Sequence, residues 1–325
     1  MHPAFSVIFL TTLIGVGQGL FLALYTGQLY SVIQVLPVQD SPGFYGYGSL
    51  LALVFLVGGL FSSFFHLGRP ERAWRSAAKW RTSWLSREVI VLPAFMGTTF
   101  IYSMIHISGW NPVLFSLSDA FIVDLSLFVG AINMVLAFAL FICTAMIYAC
   151  IKFLQEWATP LTVVNYVLLG MASGFALSAA FASYVESDLI HFYGGWAIVL
   201  TVAAFITRSA SLIRNTRIKY KSNLSSAIGI RHTNIKQKAQ GSMGGSFNTR
   251  EYFHGAKPSI FKSIKWVFLV LVFVVPVALL SSALASDMFI LYFLAFIVQY
   301  IGLLAERWFF FAQANHPQNL YYQTI

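Results

Sequence analysis

Eight runs of mostly apolar residues recur along the chain, at approximately Phe5–Gln28, Tyr47–His66, Glu88–Ser108, Phe121–Tyr148, Pro160–Tyr184, Gly194–Ser211, Ile264–Ala285 and Met288–Trp308. A helix needs about 20 such residues to cross hydrocarbon. Apolar and polar residues do not alternate within the runs, which argues against a transmembrane barrel. Helices also satisfy their backbone hydrogen bonds internally, as lipid demands. The pattern therefore predicts an all-α polytopic bundle of eight transmembrane helices, one membrane domain over residues 1–325. The first run lacks a basic lead-in and a small-residue cleavage site, and it is too long for a cleaved leader, so it reads as a span. The one long polar interruption is 212–263. Its Gly241, Gly244, Gly245 and Ser/Asn content disfavours an independent core. Two readings stand level: an arm that orders against a partner protein, or a basic linker drawn to anionic lipid.

Composition agrees with the pattern. The chain is 58% hydrophobic and 10% charged, against roughly 45–50% and about 25% in soluble domains. No soluble fold of this length hides that much apolar side chain. A soluble enzyme, a nucleic-acid-binding module and a disordered chain are excluded. The two cysteines exclude a disulfide scaffold, a four-cysteine zinc site and a self-contained iron–sulfur cluster.

The net charge of +9 reports topology. With eight spans, the termini and the even-numbered loops share one side, and all 20 Lys and Arg fall there, counting Arg208 and Arg307 at span edges. The other side carries Asp40, Asp119, Asp124, Glu186, Asp188 and Asp287 and no base. The positive-inside rule then predicts that both termini are cytoplasmic.

The stretch that carries chemistry joins spans two and three: His66-Leu-Gly-Arg-Pro-Glu-Arg-Ala-Trp-Arg, then Lys79-Trp-Arg-Thr-Ser-Trp-Leu-Ser-Arg-Glu88. Interleaved bases and tryptophans suit an interfacial helix at the membrane–water boundary. His66 and Glu88 ask for more. Each lies at the cytoplasmic end of its span, and facing each other they would form a titratable pair at the edge of hydrocarbon, where ionisable groups are costly. A quinone site requires this combination: a donor to a carbonyl oxygen and a path for protons to water. Haem is the competitor, and it needs axial ligands on facing helices. Only His66 and His106 lie in spans, at opposite faces, so no haem is expected. Gln18, Asn133, Asn165 and Gln299 read as interhelical hydrogen-bonding groups before ligands. Should the His66–Glu88 site fail, the polar positions around Gln18 are the next place to look. The glycines of spans one and five suit close packing, and Pro93 and Pro276 predict kinks. No carboxylate chain crosses the middle of the bilayer, which argues against a proton pump or ion-coupled transporter.

The run His66-Leu-Gly-Arg-Pro-Glu-Arg-Ala-Trp74, with Thr82-Ser-Trp-Leu-Ser-Arg-Glu88, resembles the signature of the DMSO reductase membrane anchor (DmsC) family. The stretch Gln240-Gly-Ser-Met-Gly-Gly-Ser-Phe-Asn-Thr-Arg-Glu251 resembles a feature of a long-loop branch of that family. The resemblance implies a haem-free third subunit of a molybdopterin oxidoreductase, not catalytic alone. A molybdopterin subunit and a four-cluster ferredoxin-like iron–sulfur subunit would dock on it, and quinone (ubiquinone or menaquinone) would exchange electrons through it. His66 and Glu88 match the family's quinol-site histidine and glutamate. The basic, cytoplasmic loops resemble the branch serving cytoplasmic sulfite-oxidising enzymes (SoeC-like), in a bacterial inner membrane. The alternative is an anchor of a DMSO or other S-/N-oxide reductase that oxidises menaquinol. A transporter and a purely structural anchor are readings of another class. On this resemblance Arg69, Arg72 and Arg81 are expected to stabilise negative charge on the quinone or to hold the iron–sulfur subunit. Arg75, Trp80, Gly244, Gly245 and Arg250 are expected to dock partners.

Overall fold

The computed structural model describes residues 4–118, 121–219, 225–226, 229–232, 258–286 and 288–315. Eight of its helices are long and apolar enough to span a membrane, as the run pattern predicts: α1 Phe5–Val32, α2 Ser41–Ser63, α3 Trp84–Ser108, α4 Leu125–Ala149, α5 Pro160–Tyr184, α6 Ile190–Thr216, α7 Ser259–Ser286 and α8 Phe289–Ala312. Several start at side-chain caps. Ser83 accepts from the Ser86 amide at 3.3 Å, Asp124 from Leu127 at 2.7 Å and Thr159 from Leu161 at 3.4 Å. Each cap satisfies one of the amides that a helix start leaves unpaired. α3 ends on Gly109, whose φ of 71° closes the helix in the left-handed conformation that favours glycine.

α1 and α5 form the centre of the bundle, flanked by their chain neighbours α2 and α6. Their axes approach closely because glycines meet there. A Cβ on Gly174 would overlap the Gly19 carbonyl carbon, and one on Gly19 would overlap the Gly170 carbonyl. With no hydrophobic drive between helices in lipid, such close van der Waals packing holds the pair. The outer helices turn large apolar side chains outward, among them Val54, Val135 and Ile206, each more than 60% exposed. Water would not tolerate such a surface, but lipid does.

Pro276 has no N–H to donate to the Val272 carbonyl four residues back, and a π-helical turn, Val270–Val274, precedes it in α7. Gln299 on α8 donates to that carbonyl at 3.3 Å and to the Thr201 hydroxyl on α6 at 3.0 Å. Three other polar residues within spans also bridge helices. Gln18 donates to the Ala137 carbonyl at 2.8 Å, Asn133 to Thr99 at 2.9 Å, and Asn165 to Ser211 at 2.8 Å.

Two features lie outside the predicted pattern. A short antiparallel hairpin, β1 Val113–Ser118 with β2 Phe121–Asp124, connects α3 to α4. The second is the position of two basic residues. Arg208 and Arg307, counted in sequence as span-edge charges, are 2% and 4% exposed inside the bundle. Helix α6 also continues through Thr216 and α7 starts before Lys262, so the polar interruption is shorter than 212–263.

Candidate functional site

The connection between α2 and α3 winds into a 3-10 helix, Pro70–Lys79. Proline at its first position and no buried residue along its length fit a surface element. Its arginines lie over tryptophans: Arg75 over Trp74 at 5.5 Å and, beyond it, Arg81 over Trp80 at 5.3 Å. Arg87 in α3 covers Trp84 at 4.2 Å and donates to the Trp80 and Arg81 carbonyls, both at 2.9 Å, tying the connection to the helix start. Trp74 and Trp80 are exposed. The segment is thus an exposed surface element in which bases and tryptophans interleave.

The expected quinone residues separate into two environments. His66 stands just past α2, its amide donating to the Ser63 carbonyl at 3.2 Å, and the residue is exposed. Partial burial under neighbouring atoms lowers its pKa from the ordinary value of 6.5, which favours the neutral ring. Glu88 is buried four residues into α3, about 6 Å along the helix axis. Its Oε1 accepts from the Thr144 hydroxyl of α4 at 2.5 Å. Among the described residues no hydrogen bond or ion pair joins His66 to Glu88. The facing pair expected from sequence is not formed. Arg69, Arg72 and Arg81 are exposed on the connection, and Arg72 pairs with Glu71 at 3.8 Å. None of the three lines the cavity that holds Glu88. Gly244, Gly245 and Arg250 lie outside the described residues.

That cavity lies between α1, α3, α4, α5 and α8. It measures about 20 Å3, and its polar lining includes Thr11, Gln18, Glu88, Thr144, Ser173 and Arg307. From Thr11 to Gln18 on α1 it extends seven residues, or about 10 Å, toward the bilayer middle. A buried water needs about 10–15 Å3 and two to four polar partners, so the chamber suits water and is too small for a quinone ring. Gln18, set aside in sequence as the second place to look, proves to share this chamber with Glu88.

Sequence reasoning missed the ionic group beside it. Arg208 Nε lies 2.7 Å from Glu306 Oε1, and Arg307 Nη1 lies 3.6 Å from Glu306 Oε2. Arg307 stacks over the Tyr166 ring at 3.6 Å. All three charged side chains are at most 5% exposed. Burying them is expensive unless they are paired with each other. A second cavity of about 10 Å3 shares Tyr166 and Arg307 with the first in its lining and is lined further by Glu156, Asn165, Arg208, Ser211 and Glu306. One signal was available in the sequence: Arg208, Glu306 and Arg307 all sit within apolar runs, where ionisable residues are functional candidates. Treating the two arginines as loop-edge charges concealed it.

Similarity to known proteins bears on this arrangement. The family model described as DMSO reductase anchor subunit (DmsC) matches residues 1–313. A protein of Allochromatium vinosum, described as a sulfite dehydrogenase subunit, is 56% identical over 325 residues, covering 100% of both chains.

Proposed function

The chain belongs to the DMSO reductase anchor subunit (DmsC) family, and from that premise we propose that it is the quinone-binding membrane anchor of a molybdopterin oxidoreductase whose electrons come from sulfite. The observation that carries the site is Glu88, a carboxyl group buried in a water-sized chamber at the end of the bundle where His66 emerges. The sulfite direction rests on the name of the 56% identical relative. An S- or N-oxide reductase, running electrons the other way, is favoured only by the family's own name.

A quinone supplies a two-electron, two-proton acceptor, and the residues present suit one chemically. The His66 ring donates one N–H to a carbonyl oxygen of the head group and, with Glu88, relays protons from the cytoplasmic side. The 20 Å3 chamber cannot admit the ring, so the head group is held on the His66 side and the chamber serves as its proton store. Glu88 takes a proton from chamber water and passes it outward, while Thr144 holds one carboxylate oxygen in place. Arg69, Arg72 and Arg81, exposed on the connection between α2 and α3, hold the iron–sulfur subunit or balance negative charge at the head group. Arg75 and Trp80 on the interfacial segment, with Gly244, Gly245 and Arg250, dock the iron–sulfur and molybdopterin subunits. Both termini and these partners lie on the cytoplasmic side of a bacterial inner membrane. Electrons and protons then arrive from one side, and no charge separation is expected.

The test is quinone-linked turnover in the assembled complex. His66→Ala removes a hydrogen bond to a polarised group, worth roughly 1.5–3 kcal/mol or about 10- to 150-fold. Glu88→Gln keeps the size and removes the proton acceptor, so turnover should slow more than inhibitor binding weakens. Reaction of the soluble subunits with an artificial acceptor should survive in both. Unchanged quinone-linked turnover in both variants refutes the site. A reporter fused at Ile325 that reads periplasmic refutes the sidedness.

A further inference from the structure

Among the described residues, Arg307 is the one arginine in the wall of the Glu88 chamber, and its neighbours fix it there. Glu306 pairs with it at 3.6 Å, the Tyr166 ring lies beneath it at 3.6 Å, and Arg208 fixes Glu306 from the far side at 2.7 Å. This much buried charge is expensive for a fold that needs only to close one end of a bundle. The chamber supplies a reason. Arginine has only donors, and an ionised carboxylate has only acceptors. Water in a chamber between them must accept from the guanidinium and donate toward Glu88. Its dipoles are thereby aligned in one sense.

Resting on the quinone reading above, we propose that Arg307 is a positioning residue that orients chamber water to load protons onto Glu88. The proton leaves a water O–H and forms an O–H on the Glu88 carboxylate. The hydroxide left behind is neutralised by a proton from the cytoplasmic side, and no electron moves in this step. Glu88 then becomes the place where the proton stops. Entry runs by way of the second cavity, which shares Arg307 and Tyr166 with the first as lining residues and is lined also by Glu156 in the connection between α4 and α5. The exposed arginines of the interfacial segment cannot do this, because none reaches the chamber.

The experiment uses the whole complex in membranes, with the artificial-acceptor reaction scoring assembly. Arg307→Gln should lower kcat for quinone-linked turnover about 10- to 100-fold. KM for quinone and the affinity of a quinone-site inhibitor should stay within about twofold, because the residue acts on proton supply and not on binding. The solvent deuterium isotope effect should rise, and Arg307→Lys, which keeps the charge, should restore most of the rate. In a Glu88→Gln background, Arg307→Gln should add nothing. If Arg307→Gln does not assemble, Arg307→Met, which likewise leaves the 2.7 Å Arg208–Glu306 pair intact, carries the same test. An assembled variant with unchanged kcat, with kcat and inhibitor affinity lost together, or with additive loss on top of Glu88→Gln overturns the proposal. If Glu88→Gln itself leaves quinone-linked turnover intact, the quinone reading has failed instead.

Discussion

Replacing Glu306 by methionine should be the most damaging single change in the ionic group. Glu306 is 1% exposed and sits between two guanidiniums, 2.7 Å from Arg208 and 3.6 Å from Arg307. Without it two like charges face each other inside the bundle. Breaking a buried pair by removing one partner costs roughly 3–5 kcal/mol, a large share of the ~5–15 kcal/mol that holds a domain folded. By the scaling for large domains, that is a fall in thermal midpoint on the order of 10 °C. Arg208→Met should cost less, because Glu306 keeps Arg307. The double variant R208M/E306M should be milder than Glu306→Met alone, since it removes the like-charge pair and leaves the net charge of the triad unchanged. The assay is thermal unfolding in detergent or nanodiscs, followed by loss of monodisperse protein. If Glu306→Met unfolds within about 2 °C of the parent, or the double variant is the least stable, the triad does not carry the electrostatic weight assigned to it.

Gly174→Val should prevent recovery of folded protein, because the new side chain meets the backbone of α1, which no rotamer relieves, whereas Gly195→Ala, with open space around it, should express normally. Gln299→Leu should cost about 1–3 kcal/mol by leaving the Val272 carbonyl without its side-chain donor, and Pro276→Ala should shrink that cost in a thermal midpoint assay by returning an N–H to α7. In the direction of quinone reduction, turnover should rise as pH falls toward the lowered His66 pKa, below 6.5, because the ring loads its proton only there. His66→Gln should flatten that limb, and a limb at or above pH 6.5, or its survival in the variant, contradicts the relay.

The eight spans were legible in the sequence because crossing hydrocarbon is a local requirement. Each segment must bring its own apolar length, and each backbone must satisfy itself. The exposed connection between α2 and α3 was legible from its interleaved bases and tryptophans. Glu88 could be singled out because a carboxylate near the start of an apolar run is conspicuous. Neighbourhood was not legible. Spacing along the chain placed His66 and Glu88 at one end of two adjacent helices, but it could not say that one stays at the surface while the other turns inward to Thr144. Nor could it say that Gln18, Tyr166 and Arg307, from α1, α5 and α8, meet around that carboxylate. Which face of a helix turns inward is decided by the glycines that bring α1 against α5 and by the packing of every other helix around that pair. That is a property of the assembled bundle, so only the tertiary structure separates an arginine at a span edge from one buried beside Glu306.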